Sequence, residues 1–171
     1  MRHRLTAAIA VSWLAFPAPP AIAQGAAPAG PTPEYMCGLL TKAQVEKEIG
    51  RKLFGEQEGM RIGGGAVCDF DGGEAQVMLF TGANSQANWE GMLKRFGHEN
   101  TTRTPVPGLG APAYVIYPPP KNQYQETVAM VVVTIGQGTL IVSSSVNKGK
   151  PAEKALAPTI ALTRLVLSNL R

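Results

Sequence analysis

Cys37 and Cys68 are the only cysteines among 171 residues. Whether they pair depends on the compartment, and the N-terminus speaks to that. Met1, Arg2, His3 and Arg4 form a basic head, Leu5 through Phe16 an apolar run, and Ala21-Ile22-Ala23 a small-residue cleavage pattern before Gln24. Residues 1–23 are therefore expected to be a signal peptide. The run is about 12 residues long, against the roughly 20 that span a bilayer, and Pro17, Pro19 and Pro20 interrupt it. A lipid anchor would need a cysteine directly after the apolar run, but the first is Cys37. The mature chain is expected to be periplasmic or secreted, without stable membrane insertion. In that oxidising setting an even cysteine count predicts a Cys37–Cys68 disulfide. A redox pair would favour C-x-x-C spacing, and two cysteines with one distant histidine fall short of a zinc site. No cofactor or metal is expected.

Export also changes the charge. The chain carries 16 basic and 12 acidic residues, a net +4, and loss of Arg2 and Arg4 lowers this to +2 with His98 the sole histidine left. No Lys/Arg cluster of the kind that tracks a phosphate backbone is present, which excludes nucleic acid as a partner. About 148 residues remain, enough for one ordinary domain core.

The element pattern predicts an α+β domain over 34–171, after a flexible linker over 24–33 (QGAAPAGPTP). Thr41 with Gln44 makes a capping box, Leu40 and Val45 occupy staple positions, and Gly50 supplies a stop, so a helix is expected over Thr41–Ile49. Strands are expected near Lys52–Ile62, Ala66–Asp71 and Glu74–Thr81. The Gly63-Gly64-Gly65 and Asp71-Gly72-Gly73 steps between them are hairpin compositions. A second helix, capped by Ser85, runs to Phe96 with Trp89, Met92, Leu93 and Phe96 on one stripe, read as core packing on the sheet. Strands follow near Ala113–Tyr117, Thr127–Ile135 and Thr139–Val146. Val128–Ile135 is apolar enough to be covered on both faces. A last helix begins at Pro151, is kinked or restarted at Pro158, and buries Leu162, Leu165, Val166 and Leu170 on the sheet, with Leu156, Ile160 and Leu167 widening its apolar surface. The expected fold is an antiparallel sheet of about six strands with helices packed on it, in the order α-βββ-α-βββ-α.

Chemistry-bearing residues are few. His98 lies in a polar loop read as solvated, and no G-x-S-x-G elbow accompanies it. Asp69, Asp71 and Glu74 cluster around one turn. They lack a third calcium-loop ligand before the glycine and the distal glutamate, and strand alternation would put Asp69 and Asp71 on one solvent face. Gly63-Gly64-Gly65 and Gly108-Leu109-Gly110 lack the Lys-Ser/Thr or G-x-G-x-x-G context of phosphate loops and read as turns. Tyr117-Pro118-Pro119-Pro120 sits between two expected strands and reads as a rigid hairpin loop rather than a polyproline ligand.

Four segments then stand out: Cys37-Gly38-Leu39-Leu40-Thr41, Ile49-Gly50, Cys68-Asp69-Phe70, and Val106-Pro107-Gly108-Leu109-Gly110-Ala111-Pro112-Ala113. The pattern C-x-L-L-T, L-G, C-x-W, V-x-G-L-G-D-x-A that they follow resembles a group of small bacterial envelope proteins, many of them actinobacterial lipoproteins. The resemblance spans most of Glu34–Arg171. The chain departs from it at Phe70, where the pattern has Trp, at Pro112, where the acid is missing, and in lacking the lipid-anchor cysteine. The resemblance implies a paired-cysteine α+β domain and brings no catalytic residue.

The function expected from these observations is a non-catalytic binding or protein-interaction domain, its partner an envelope protein or a small ligand. The alternatives are a hydrolase-like enzyme using Asp69, Asp71 and Glu74 or His98, and a carrier of a hydrophobic ligand whose groove the last helix covers.

Overall fold

The structure, a computed structural model, describes residues 30–119, 127–146 and 150–170. The signal peptide expected over 1–23, residues 24–29 of the linker and Pro120 of the proline run lie outside them. The chain runs α1 (Pro33–Cys37), α2 (Lys42–Ile49), β1 (Gln57–Ile62), β2 (Gly65–Phe70), β3 (Ala75–Phe80), α3 (Ser85–Arg95), β4 (Thr104–Pro105), β5 (Ala113–Ile116), β6 (Thr127–Ile135), β7 (Gly138–Val146), a 3-10 turn (Ala152–Ala155) and α4 (Leu156–Asn169). The α+β class holds, but the sheet has seven strands rather than six, in the order β1-β2-β3-β7-β6-β5-β4. Every neighbouring pair is antiparallel.

Two elements break the expected order. The first is α1, where Thr32 caps through its side chain and Pro33 opens the helix. This helix start was hidden in the last residues of a stretch read as linker. The second is β4, two residues in a loop read as irregular, which pairs Thr104 with Val115 and Pro105 with Tyr114 at the sheet edge. A proline can sit there because an edge strand does not need every N–H.

The local signals around α2 work as a unit. Thr41 accepts from the Gln44 backbone N–H at 3.2 Å, and Gln44 Oε1 accepts from the Thr41 N–H at 2.8 Å. Gly50 ends the helix at φ 71°, in the left-handed region where a side chain is costly. The helix staples Leu40 and Val45 into the core, both essentially inaccessible to solvent.

The two sheet faces differ. One carries Cys68, Phe70, Val77, Leu79, Val131, Val133 and Val142, and packs against α1, α2 and α4 through Met36, Leu39, Leu40, Val45, Leu162 and Val166. The Cys37–Cys68 disulfide, with Cα atoms 4.9 Å apart, ties the end of α1 into β2 on this face. The resembling motifs serve the same core: Leu39, Leu40, Val106 and Leu109 are all buried in it. The other face carries Val67, Met78, Phe80, Val132 and Ile141, against which α3 sets Trp89 and Leu93. Gly65 lets the Phe80 ring lie across β2 here, since a Cβ would approach that ring to 2.9 Å.

The last helix departs from expectation in detail. Pro151 precedes the 3-10 turn, and Pro158 falls in the first turn of α4, where its missing N–H has no intrahelical acceptor to lose. Proline thus restarts the helix instead of kinking it. The fully buried stripe is Ala155, Thr159, Leu162, Thr163 and Val166, whereas Leu165 is only partly buried. Threonine is tolerated at two core positions because each hydroxyl donates to the carbonyl four residues back, Thr159 to Ala155 and Thr163 to Thr159, both at 2.7 Å.

Candidate functional site

Strand alternation and register place Gln76 and Met78 of β3, Ile141 and Ser143 of β7, and Met130 of β6 on the face that α3 covers. Ser143 stands opposite both Gln76 and Met130. The helix crosses this face at one end. Its Ser85 hydroxyl donates to the Gln137 carbonyl at 2.6 Å instead of capping, and Trp89 Nε1 donates to the Tyr114 hydroxyl at 2.9 Å. Glu90 holds Arg103 by two bonds of 2.8 and 2.6 Å, and the Arg103 guanidinium lies 5.2 Å from the centre of the Tyr114 ring. The hydrogen bonds from Arg103 hold the Glu90 carboxyl below its ordinary value of 4.5. These contacts fix α3 above β5 and β7.

Because α3 packs through Trp89 and Leu93, its flank does not fill the space over the neighbouring rows. A cavity of about 230 Å³ lies there. Its floor is Ile62, Met78, Ile141 and Met130, its roof Trp89, Met92 and Phe96, and its polar groups Gln76, Ser143 and His98. Three of these residues are methionines, whose unbranched thioethers adapt to varied shapes. His98 is therefore not the solvated loop residue expected from its polar neighbours. Its backbone N–H donates to the Leu93 carbonyl at 2.8 Å, carrying the chain back under the helix end. Its Nδ1 is buried without a hydrogen-bond partner among the described residues, a state that costs about 1–3 kcal/mol unless something else supplies a partner.

The carboxylates go elsewhere. Asp69 does not face solvent: it is 8% exposed, and its oxygens accept from the Gly73 N–H at 2.8 Å and from Gln76 Nε2 at 2.6 Å. Asp71 lies beyond the strand at φ 57°. It accepts from the N–H groups of Phe54 and Gly55 at 2.8 and 2.6 Å. Glu74 pairs with Arg51 and accepts from the Ser145 hydroxyl at 2.7 Å. The three side chains so take separate partners, and the expectation of Asp69 and Asp71 side by side on one solvent face fails because β2 ends at Phe70.

No protein-family model, curated protein or solved structure matches the chain.

The site thus stands on its own geometry. Among the described residues no group of three or more His, Cys, Asp or Glu side chains is placed to hold a metal ion, and no helix is long and apolar enough to cross a membrane. The cavity is not the groove beneath the last helix that the alternative carrier reading names: α4 packs on the opposite face, against α2, β6 and β7. Of the cavity walls, Trp89, Met92 and Phe96 were visible in the sequence as a helical stripe. Gln76, Met130 and Ser143 were not, since they come together only through pairing of β3, β7 and β6.

Proposed function

We propose that this protein is an exported, non-catalytic binding domain of the bacterial cell envelope, and that it takes a small apolar ligand between α3 and the sheet. The observation that carries this reading is the cavity itself: apolar walls with three polar groups in them, the pattern of a small-molecule site. A dry apolar cavity of roughly 150 Å³ holds a benzene molecule, so 230 Å³ suits a somewhat larger apolar body. The resemblance of the Cys37–Thr41 and Val106–Ala113 segments to small envelope proteins, together with the N-terminal export pattern, supports the location. Against a hydrolase, each carboxylate already takes a structural partner, and among the described residues the His98 Nδ1 meets no hydroxyl or thiol that it could serve as a base.

Methyl-labelled methionine reports on the site directly. Naphthalene added to the purified protein should shift the methyl resonances of Met78, Met92 and Met130. Met36, buried in the opposite core, should stay in place. Silent cavity methyls at the solubility limit of naphthalene, or a shift at Met36 of the same size, would rule the cavity out as the binding site.

A second reading rests on Phe54, which is 93% exposed while its own backbone and that of Gly55 are held by Asp71. A rigidly presented aromatic is the kind of anchor that protein interfaces use. In that case Phe54→Ser should abolish retention of an envelope partner and leave naphthalene binding untouched.

A further inference from the structure

The cavity under α3 does not end at Gln76 and Ser143. A second hollow of about 450 Å³ begins at the same three side chains, Gln76, Met130 and Ser143, and continues along the sheet to Glu74 and Ser145. By itself the apolar cavity is smaller than the roughly 300–1,000 Å³ of ordinary ligand sites, whereas the two together reach that size. From the shared wall, one side is largely apolar and the other mixes Glu74 and Ser145 with Val128.

We infer that the two form one site for an amphiphile, its apolar arm under α3 and its head, a hydrogen-bond donor without negative charge, on Gln76 and Ser143. This rests on the binding reading above and adds the chemistry of the head. Gln76 sets the polarity. Its Nε2 donates to Asp69 at 2.6 Å, which fixes the amide orientation and leaves Oε1 as an acceptor. Ser143, opposite it across β3 and β7, offers a hydroxyl that can donate or accept. Ser145 is already engaged, donating to Glu74 at 2.7 Å and accepting from Arg51 at 2.6 Å. The described charges around the hollow disfavour an anion. Among the described residues Asp69 accepts from the Gly73 N–H and the Gln76 amide, both uncharged donors. Glu58 stands directly across from Asp69 on the same face. Among the described residues no Lys or Arg lines the cavity or the hollow, and the Arg51 guanidinium is bound to Glu74 and Ser145. A carboxylate or phosphate head at Gln76 would lie beside Asp69 and Glu58 with no lysine or arginine among the described lining residues to offset them, while a hydroxyl or amine meets acceptors.

Three probes with the same chain separate the heads: octan-1-ol, octylamine and octanoate, titrated at neutral pH into methionine-methyl-labelled protein, with naphthalene as a headless control. Octanol and octylamine should move the Met78, Met92 and Met130 resonances at concentrations at least about tenfold lower than octanoate, the size of one charge-assisted or lost hydrogen bond. Gln76→Leu should weaken octanol about five- to tenfold relative to naphthalene measured in the same variant. If octanoate binds as well as octanol while naphthalene still binds, the head assignment is wrong and the cavity reading stands. If naphthalene and all three octyl compounds leave the methyls unmoved, both fall. A Gln76→Leu protein that loses naphthalene as well has lost the cavity shape, and Ser143→Ala then serves in its place, with the same expected loss of octanol relative to naphthalene.

Discussion

Asp71 shows how one side chain can look catalytic in a sequence and be structural in the fold. It sits beside two glycines and another aspartate, a composition suited to metal binding or acid–base work. Its carboxylate instead receives two backbone N–H groups from the segment before β1, and its own backbone takes φ 57° to reach them. Aspartate tolerates that conformation better than most residues, because its short polar side chain bonds locally. Asp71→Ala should therefore cost about 2–3 kcal/mol: two charge-assisted bonds are lost, partly replaced by water at this half-exposed site, and alanine is strained at positive φ. Asp71→Asn, which keeps one acceptor and tolerates the conformation, should cost about half as much. Urea unfolding gives both values, and hydrogen exchange at the Phe54 and Gly55 amides should accelerate in Asp71→Ala. A stability loss with unchanged exchange at those two amides would show that the bonds do not hold the loop.

At the scale of elements, α4 tests how far an apolar pattern predicts burial. Seven aliphatic residues, Leu156, Ile160, Leu162, Leu165, Val166, Leu167 and Leu170, surround this helix on more than one side. Periodicity alone cannot say which of them faces the sheet. The structure puts Leu162 and Val166 there together with Thr159 and Thr163, and leaves Leu165 at the margin. The reason is the company of β7: the buried Ser144 hydroxyl lies 2.7 Å from that of Thr159, so a polar pair is satisfied inside an apolar layer. Leu162→Ala should lower stability by about 2–5 kcal/mol, as for a leucine in a full core. Leu165→Ala should cost less, about 1–2 kcal/mol, since part of its surface is already in water. Thermal denaturation of the two variants decides the register of the helix, and equal losses would mean that it is rotated from the position described.

For the whole molecule, the disulfide is the main long-range covalent constraint. It joins residues 31 apart in sequence and fastens α1 to a strand that is buried along its whole length. Loop-closure entropy assigns such a link roughly 3–4 kcal/mol, a large part of the net stability of a domain of this size. The Cys37→Ser, Cys68→Ser double variant should lose about that much in urea, and the unreduced parent should show no titratable thiol. Both outcomes check the pairing independently of the site. The helices divide unequally, with α1, α2 and α4 on one face and α3 alone on the other. The unequal cover leaves room for the cavity and hollow beside α3.

What could be read from the residue order is whatever depends on neighbours along the chain. The capping box of α2, the glycine turns that bound β1, β2 and β3, the apolar run of β6 and the cysteine parity all act within a few residues or through composition. They determined the α+β class and six of the seven strands. They also placed Trp89, Met92 and Phe96 on one stripe of α3. The seventh strand, β4, is too short to carry a pattern, and α1 is one turn and a half whose Thr-Pro-Glu start was masked by the proline-rich stretch before it. The site was beyond reach for a different reason. Gln76, Met130 and Ser143 are brought together by pairing between strands up to 67 residues apart in sequence. A one-residue slip in any of those ladders would turn its side chain to the opposite face. Which polar groups stand around one cavity, and that His98 turns beneath a helix while Asp71 turns away to a loop, is decided by strand register and by the packing of α3, and those exist only in the folded molecule.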